Sequence, residues 1–506
     1  MDRKRSFLFM LSVGVMVVIG ALAVFTPGSV SADTDALEVI ASGLDNPRGL
    51  EFGPDGALYV AEAGRGGEGP CAGNPESEGE VCYGPTGAIT RVHQGEQERV
   101  AEGLPSLADE TGGGASGPHD ISLHDGTGAY VVIGLGADPA ERDNPEGLGE
   151  TGLQFGQLVK VMPDGSWSNV ADLAAYEGDV NPDGAEPPDS NPYGVLALPG
   201  KVLAVDAGGN TLLQVDHNGD ISTVAVFPDR EIPLPPEFPS PPFPDPFPLQ
   251  SVPTSVAKGP DGAYYVGELT GFPFPPDEAR VYRVAPGEEP EVYAEGFTNI
   301  IDLAFGQDGS LYVLEIAANS LISEDMTGAL IRVSSDGSQE VIASEGLVAP
   351  AGLTSGPDGA LYVSNCGVCP GEGEVVRIDI GVEPTDAELI NDSLGAEVTT
   401  TTFNSTAVAG GDAGAFTIEA TFTNTSSSAF TDLFFHVAVL EPVGKKVLNC
   451  DDGPDTAGCR VSVPSESLGD DGVLDPGESF TMEFEVGLDQ REQFEFFVNA
   501  YGVPGS

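Results

Sequence analysis

Apolar residues in this chain come in short runs, rich in Val, Ile, Leu and Tyr and closed off by Gly, Pro and Asp. That pattern predicts strands and turns rather than helices. The runs also repeat. An apolar strand, a GPDG-type turn, an LYV-type strand, a loop, a strand like ITRV, a short turn and a strand like RVAEGL form a unit that recurs six times. First and second strands fall at 49–52 with 58–61, 120–123 with 129–132, 194–198 with 202–205, 254–257 with 263–267, 301–305 with 311–314, and 352–354 with 361–364. Third strands fall at 89–92, 158–161, 212–215, 281–284, 330–333 and 375–378, most with a basic residue just before the last position. Four short antiparallel strands per unit, at a period of about 45–50 residues, predict propeller blades. One blade cannot bury both of its faces, whereas a closed ring of blades can.

Five units end in a fourth strand, and the sixth stops after 376–378. The segment LEVIASGL at 37–44 closely matches EVIASEGL at 340–347. It is therefore expected to complete the last blade from the other end of the chain. The reading is all-β: a six-bladed propeller over 36–381 closed by 37–44, followed by a small Ig-like β-sandwich over 384–506. In the latter, Thr, Ser and Phe rise, the repeat is lost, and alternating strands appear at 416–424, 433–440, 479–486 and 494–501. A carboxylate-rich stretch at 470–478 suits either calcium or an ordinary acidic turn.

Composition narrows the class. Gly (68) and Pro (42) are abundant, which argues against a helical bundle. Eighty acidic residues against 20 basic ones give a net charge of −60, so nucleic acid and anionic lipid are excluded as partners. Such a surface suits brine, a cation or a basic partner. The N-terminus reads as an export signal over 1–32: Arg3-Lys4-Arg5, an apolar run from 7 to 25, and Val30-Ser31-Ala32 at the cleavage site. An uncleaved N-terminal anchor is the alternative, because the run is just long enough to span a bilayer. Cleaved, the chain is secreted, periplasmic or at the cell surface, with no membrane span. The six cysteines fall into local pairs, Cys71/Cys82, Cys366/Cys369 and Cys450/Cys459, and in an oxidising compartment these predict disulfides. Cys366 and Cys369 could alternatively be a redox or metal pair.

Connectivity places the candidate chemistry. First and second strands of a blade are antiparallel, so the start of one and the end of the other share a rim of the central channel. The starts carry Arg48, His119 and Asp120, Asn191 and Tyr193, Thr254 and Asp302; the ends carry Glu62, Asp206, Glu268, Glu315 and Asn365. Long insertions at 64–87, 134–156, 174–190, 228–250, 271–279 and 316–328 belong to the same face. The segment 228–248 has ten prolines with Phe238, Phe243 and Phe247 among them, which suggests a stiff aromatic-toothed flap. Long loops on one face of a rigid scaffold usually mark binding. Carboxylates about 6 Å apart repel by roughly 2.8 kcal/mol at an effective dielectric of about 20. Glu62, Glu268, Asp302 and Glu315 are therefore candidate ligands for a cation, calcium rather than zinc because histidine is scarce. The competing reading makes the strand-end acids turn caps. His119 beside Asp120 is the candidate acid–base pair, and Arg48, Asn191, Tyr193, Asp206 and Asn365 are candidate ligand contacts.

The strings PRGLEFGPDGALYVAEAG (47–64), GPHDISL (117–123), DSNPYGVLA (189–197), VDAGGNTLLQV (205–215), VPTSVAKGPDGAYYVGELTGFPFP (252–275), ARVYRV (279–284) and GFTNIIDLAFGQDGSLYVLEI (296–316) resemble the ScyD/ScyE family. The resemblance covers about 37–381. It implies a six-bladed propeller related to NHL-repeat and gluconolactonase-like proteins, and it assigns no catalytic residue. Glu62, Asn191 and Asp302 could supply part of a gluconolactonase-type metal set, but no second Asn falls into place. The expected function is binding of a small-molecule or protein ligand at the loop-rich mouth. The alternative is a metal-assisted hydrolase or lyase acting on a small carbonyl compound, with His119 paired to Asp120 as base.

Overall fold

The computed structural model describes residues 37–504 apart from 54, 74–78, 124–127, 237, 241, 286, 307–308, 324, 335–336, 381–387, 409, 412, 442–444, 451–458, 469–471, 489 and 491–493. The expected export segment lies outside the described residues, as do Asp470 and Asp471 of the acidic stretch. The fold is all-β, and its first part is a β-propeller. No helix among the described residues is long and apolar enough to cross a membrane.

Consecutive strands sort into small antiparallel sheets. Blade one holds Pro47–Phe52, Leu58–Glu62, Glu80–His93 and Glu96–Ala108, with Cys71–Gly73 added beside Glu80–His93. Blade two holds Pro118–Leu123, Ala129–Ile133, Gln157–Val161 and Trp167–Asp172. Blade three holds Pro192–Leu198, Lys201–Asp206, Thr211–Asp216 and Ile221–Val226. Blade four holds Pro253–Lys258, Tyr264–Glu268, Ala279–Val284 and Glu291–Phe297. Blade five holds Ile300–Phe305, Leu311–Glu315, Ala329–Val333 and Gln339–Ala343. Gly352–Ser355, Leu361–Asn365 and Pro370–Ile378 are joined in one sheet by Glu38–Asp45, which pairs with Pro370–Ile378. The first strands of these sheets pack against one another in a closed cycle, the last against the first.

Burial follows position in the blade. Second strands such as Tyr264–Glu268 and Leu361–Asn365 are buried along their whole length, while the outermost Glu291–Phe297 is largely exposed. Aromatic edges seal neighbouring blades, as where Phe52 meets Tyr362 and Tyr265 meets Phe305, each pair 4.9 Å apart. The GPDG turns have a side-chain role too. Asp55, Asp261 and Asp358 each accept the hydroxyl of the strand-two tyrosine (Tyr59, Tyr265, Tyr362) and the guanidinium of a strand-three arginine (Arg91, Arg283, Arg377). This explains the recurrent basic residue near the end of the third strand.

Beyond the propeller, Glu388–Leu389, Phe430–Glu441, Arg460–Ser462 and Glu495–Pro504 form one sheet, and Leu394–Asn404, Gly414–Asn424, Lys446–Val447 and Ser479–Leu488 another. They share an aromatic core in which Phe422 meets Phe435 at 4.5 Å and Phe480 at 5.4 Å. All three cysteine pairs, Cys71–Cys82, Cys366–Cys369 and Cys450–Cys459, are disulfides.

Candidate functional site

One irregularity recurs at the channel. Five first strands shift register against their second strands one or two residues after their start: between Pro47 and Leu50, Pro118 and Asp120, Pro192 and Gly194, Pro253 and Ser255, and Ile300 and Asp302. A β-bulge re-aims the extra side chain. Arg48, His119, Tyr193, Thr254 and Ile301 occupy this place, and all are buried.

The position after it carries Gly49, Asp120, Gly194, Ser255 and Asp302. First strands are sheet edges facing the channel, so their N–H groups need acceptors from elsewhere. Asp120 accepts from Ile121 N at 2.8 Å and from Val195 N of the next blade at 2.7 Å. Asp302 does the same for Leu303 and for Leu353 of its next blade, both at 2.7 Å. Glu51 accepts from Leu123 N in the same manner. Gly49 leaves room for the Asp120 carboxyl: a Cβ there would fall 1.8 Å from Asp120 Oδ1.

Arg48, His119 and Tyr193 meet as a cluster. Arg48 donates from Nη1 to Tyr193 Oη at 3.4 Å and from Nη2 to the Ala115 carbonyl at 3.0 Å, while its buried Nε has no partner. The His119 and Tyr193 rings lie 4.8 Å apart. His119 Nδ1 stands 3.2 Å from the Pro192 carbonyl, which only accepts, so Nδ1 carries the proton and Nε2 the lone pair. Burial, reinforced by the Arg48 charge, holds the His119 pKa down to about 3. Burial raises the Tyr193 phenol, with Arg48 opposing it and the charge of Asp302 adding to it. Burial pushes Asp302 to about 7, and raises Asp120 together with the charge of Asp302. The structure thus gathers five of the sequence candidates: Arg48, His119, Asp120, Tyr193 and Asp302.

The strand-end residues are occupied elsewhere. Glu62 accepts from Asp45 N at 2.7 Å, Thr90 Oγ1 at 2.5 Å and Arg99 Nη2 at 2.6 Å. Asp206 accepts from Ser190 Oγ and from the amides of Asn191, Gly208 and Gly209. Glu268 pairs with Arg230 at 2.6 Å and accepts from Ser251 Oγ at 2.8 Å. Glu315 accepts from Thr298 N at 2.6 Å. Asn365 accepts from Val348 N and donates to Gly346 O, and Asn191 accepts from Leu135 N. Each ties the loop entering its own or a neighbouring blade. The expected cation ring is corrected accordingly: Glu62, Glu268, Asp302 and Glu315 do not form a common cluster. Among the described residues no three His, Cys, Asp or Glu side chains stand ready around one metal position. The calcium expected there does not fit this donor set, because each acid already has its own hydrogen-bond donors.

The sequence matches no protein-family model and no curated protein. Solved structures similar to this chain include a streptogramin B lyase, with 12% identity over 68% of this chain and 98% of that one at a TM-score of 0.37. A calcium-binding regucalcin from Agrobacterium tumefaciens shares 13% over 69% and 96%, at 0.39. A PQQ-bound aldose sugar dehydrogenase from Streptomyces coelicolor shares 12% over 68% and 98%, at 0.40.

The proline-rich insertion is a hairpin rather than a single polyproline rod. Arg230–Ile232 pairs with Phe247–Leu249, and Phe238, Phe243 and Phe247 cluster with Phe272 at 5.2 to 6.3 Å. Arg230 anchors its base on Glu268 and on the Glu278 carbonyl. Sequence reasoning passed over Glu51, Arg99 and Arg230, whose partners lie in other strands or other blades. It also passed over the helix Leu173–Val180, although Asp172 before an Ala-rich run was a legible cap and accepts from Ala175 N at 2.8 Å.

Proposed function

We propose that this chain is an exported propeller of the ScyD/ScyE type, organised as 36–381 and 384–506, that binds a small molecule bearing carboxylate or carbonyl oxygens at Arg48, His119 and Tyr193. The observation that carries this reading is Arg48. Its side chain is buried, at 2% exposure, makes no ion pair among the described residues, and keeps Nε unsatisfied. A buried guanidinium short of acceptors is suited to an oxygen-rich ligand. Tyr193 Oη keeps a hydrogen to donate. The loop-rich face supports the same reading, and the three disulfides suit an oxidising compartment outside the cytoplasm.

The hydrolase or lyase alternative needs a base near neutral pH and a cation. The base that reading names, His119 paired to Asp120, is held to about 3 and turns its Nδ1 to the Pro192 carbonyl. Asp120 accepts from Ile121 and Val195 instead. Binding is therefore the better-supported function. Calorimetric titration with small carboxylates, lactones and their reduced neutral analogues tests it. Binding should favour the first two, and Arg48→Lys should weaken it by about 10-fold or more, the loss of a charge-assisted bond. Tyr193→Phe should weaken it several-fold with the fold intact. Undiminished affinity in both variants, or no preference for the oxygen-bearing compounds, would overturn the proposal.

A further inference from the structure

We infer that the ligand of the Arg48 site is an aromatic carboxylate, its ring lying on an apolar shelf over blades four to six beside the proline-rich hairpin. This rests on the Arg48 reading above and names the body of the molecule whose carboxylate Arg48 takes.

The channel wall is divided in two. At the bulge position, blades one to three place Arg48, His119 and Tyr193, whereas blades four to six place Thr254, Ile301 and Ala351, all of them buried. Tyr193 joins the two halves. Its hydroxyl accepts from Arg48, and its ring belongs to one apolar cluster with Leu269, Phe274, Ile301 and Ala317. Val252, Phe272, Leu321, Met326 and Val368 pack on that cluster and are only partly covered. Beside them Ile322 and Val348 are 44% and 48% exposed. All of these lie in segments that join second to third strands, or one blade to the next, and so on the loop-rich face. The segments are tied together as well. Ser320 Oγ donates to the Phe274 carbonyl at 2.6 Å, and Ala349 N donates to the Met326 carbonyl at 2.7 Å. In a chain of net charge −60, an apolar surface gathered beside the channel mouth marks a place of contact.

The hairpin supplies the aromatic character. Phe238 and Phe243 stand 5.2 and 5.7 Å from Phe272, which stands 6.4 Å from Phe274 of the Tyr193 cluster. Aromatic contacts thus run without a break from the hairpin to the cluster that holds Tyr193. Phe238, Phe243, Phe247 and Phe272 all keep part of their surface exposed. Rings favour edge-to-face and offset contacts at about 4.5–7 Å, the spacing these four already adopt, so a further ring extends the array where an alkyl chain or a sugar would not. Proline fixes much of the hairpin backbone, so little ordering entropy is lost when a ring docks. The polar half of the mouth takes the other end of the molecule: Arg48, with its unsatisfied Nε, complements a carboxylate.

Calorimetric titration of the full chain with 3-phenylpropionate, propionate and 3-phenylpropanol tests this. Phenylpropionate should bind about 10-fold or more tighter than propionate, the effect of taking one phenyl ring out of water. Phe272→Ala and Phe238→Ser should each cut that ratio by about 3-fold or more. Phe238, partly exposed, serves if Phe272→Ala folds poorly. Arg48→Lys should weaken both carboxylates alike. Phenylpropionate bound no tighter than propionate, with both sensitive to Arg48→Lys, overturns this inference and leaves the Arg48 reading standing. Phenylpropionate and phenylpropanol bound equally, indifferent to Arg48→Lys but weakened by the Phe variants, overturns the Arg48 reading and the carboxylate half of this one. No binding of either aromatic compound, or a ratio that both Phe variants retain, overturns the inference outright.

Discussion

Replacing Glu315 by glutamine should stabilise this protein at pH 8 and change it by less than about 1 kcal/mol at pH 5. Glu315 is 5% exposed, accepts one backbone N–H from Thr298, and has no basic partner among the described residues. Burial, with a smaller push from Asp277, raises its pKa from 4.5 to about 7. A carboxyl that holds its proton more tightly folded than unfolded contributes its stability fully below about pH 4.5 and loses it as pH climbs through about 7. A gap of about 2.5 units at 1.36 kcal/mol each comes to about 3 kcal/mol lost by pH 8. Glutamine keeps the carbonyl acceptor for Thr298 and never ionises, so it should recover that amount. The contrast is Glu268, at the same place in the previous blade. Its carboxylate is paired with Arg230, so Glu268→Gln breaks a buried ion pair and should cost about 3–5 kcal/mol. Denaturant unfolding of wild type and both variants at pH 5 and pH 8 measures all of these quantities. If Glu315→Gln shows the wild-type pH dependence, or is the less stable protein at pH 8, the desolvation argument is wrong.

Two further outcomes follow from the ring itself. Deleting 37–44 removes the strand that pairs with Pro370–Ile378, buries Leu44 and Ala41, and exchanges two hydrogen bonds with Gln97 through Ser42. It should cost upward of about 3 kcal/mol from apolar burial alone, and a truncated chain that melts like the full one would refute this. Gly49→Ala should cost about 1–3 kcal/mol or more, because the methyl displaces the Asp120 carboxyl from its hydrogen bonds to Ile121 and Val195. A crystal structure of that variant with both bonds intact and unchanged stability would refute the assigned role.

By itself, the sequence determined the local layer of this molecule. Period-two alternation, GPDG turns and the spacing of apolar runs were enough for an all-β propeller, because strand and turn preferences are settled within a few residues. Cysteines 9 to 11 residues apart in loops were enough for Cys71–Cys82 and Cys450–Cys459. Tertiary structure alone decided what each polar residue does. Glu62, Glu268 and Glu315 stand at equivalent places and read alike in sequence, yet the first two meet Arg99 and Arg230 and the third meets no cation among the described residues. Those arginines lie 37 and 38 residues from their partners, in an outer strand and an inserted hairpin. The bulges that re-aim Arg48, His119 and Tyr193 likewise depend on register with the second strand, which no single segment encodes. Glu177 is the plainest case. In sequence it is one acid among 80, and only the fold of the 181–190 loop onto the turn at 206–210 seals it from water with both oxygens unpaired. A carboxylate's chemistry is set by solvation and by neighbouring charge, and both are properties of the space around it rather than of its place in the chain.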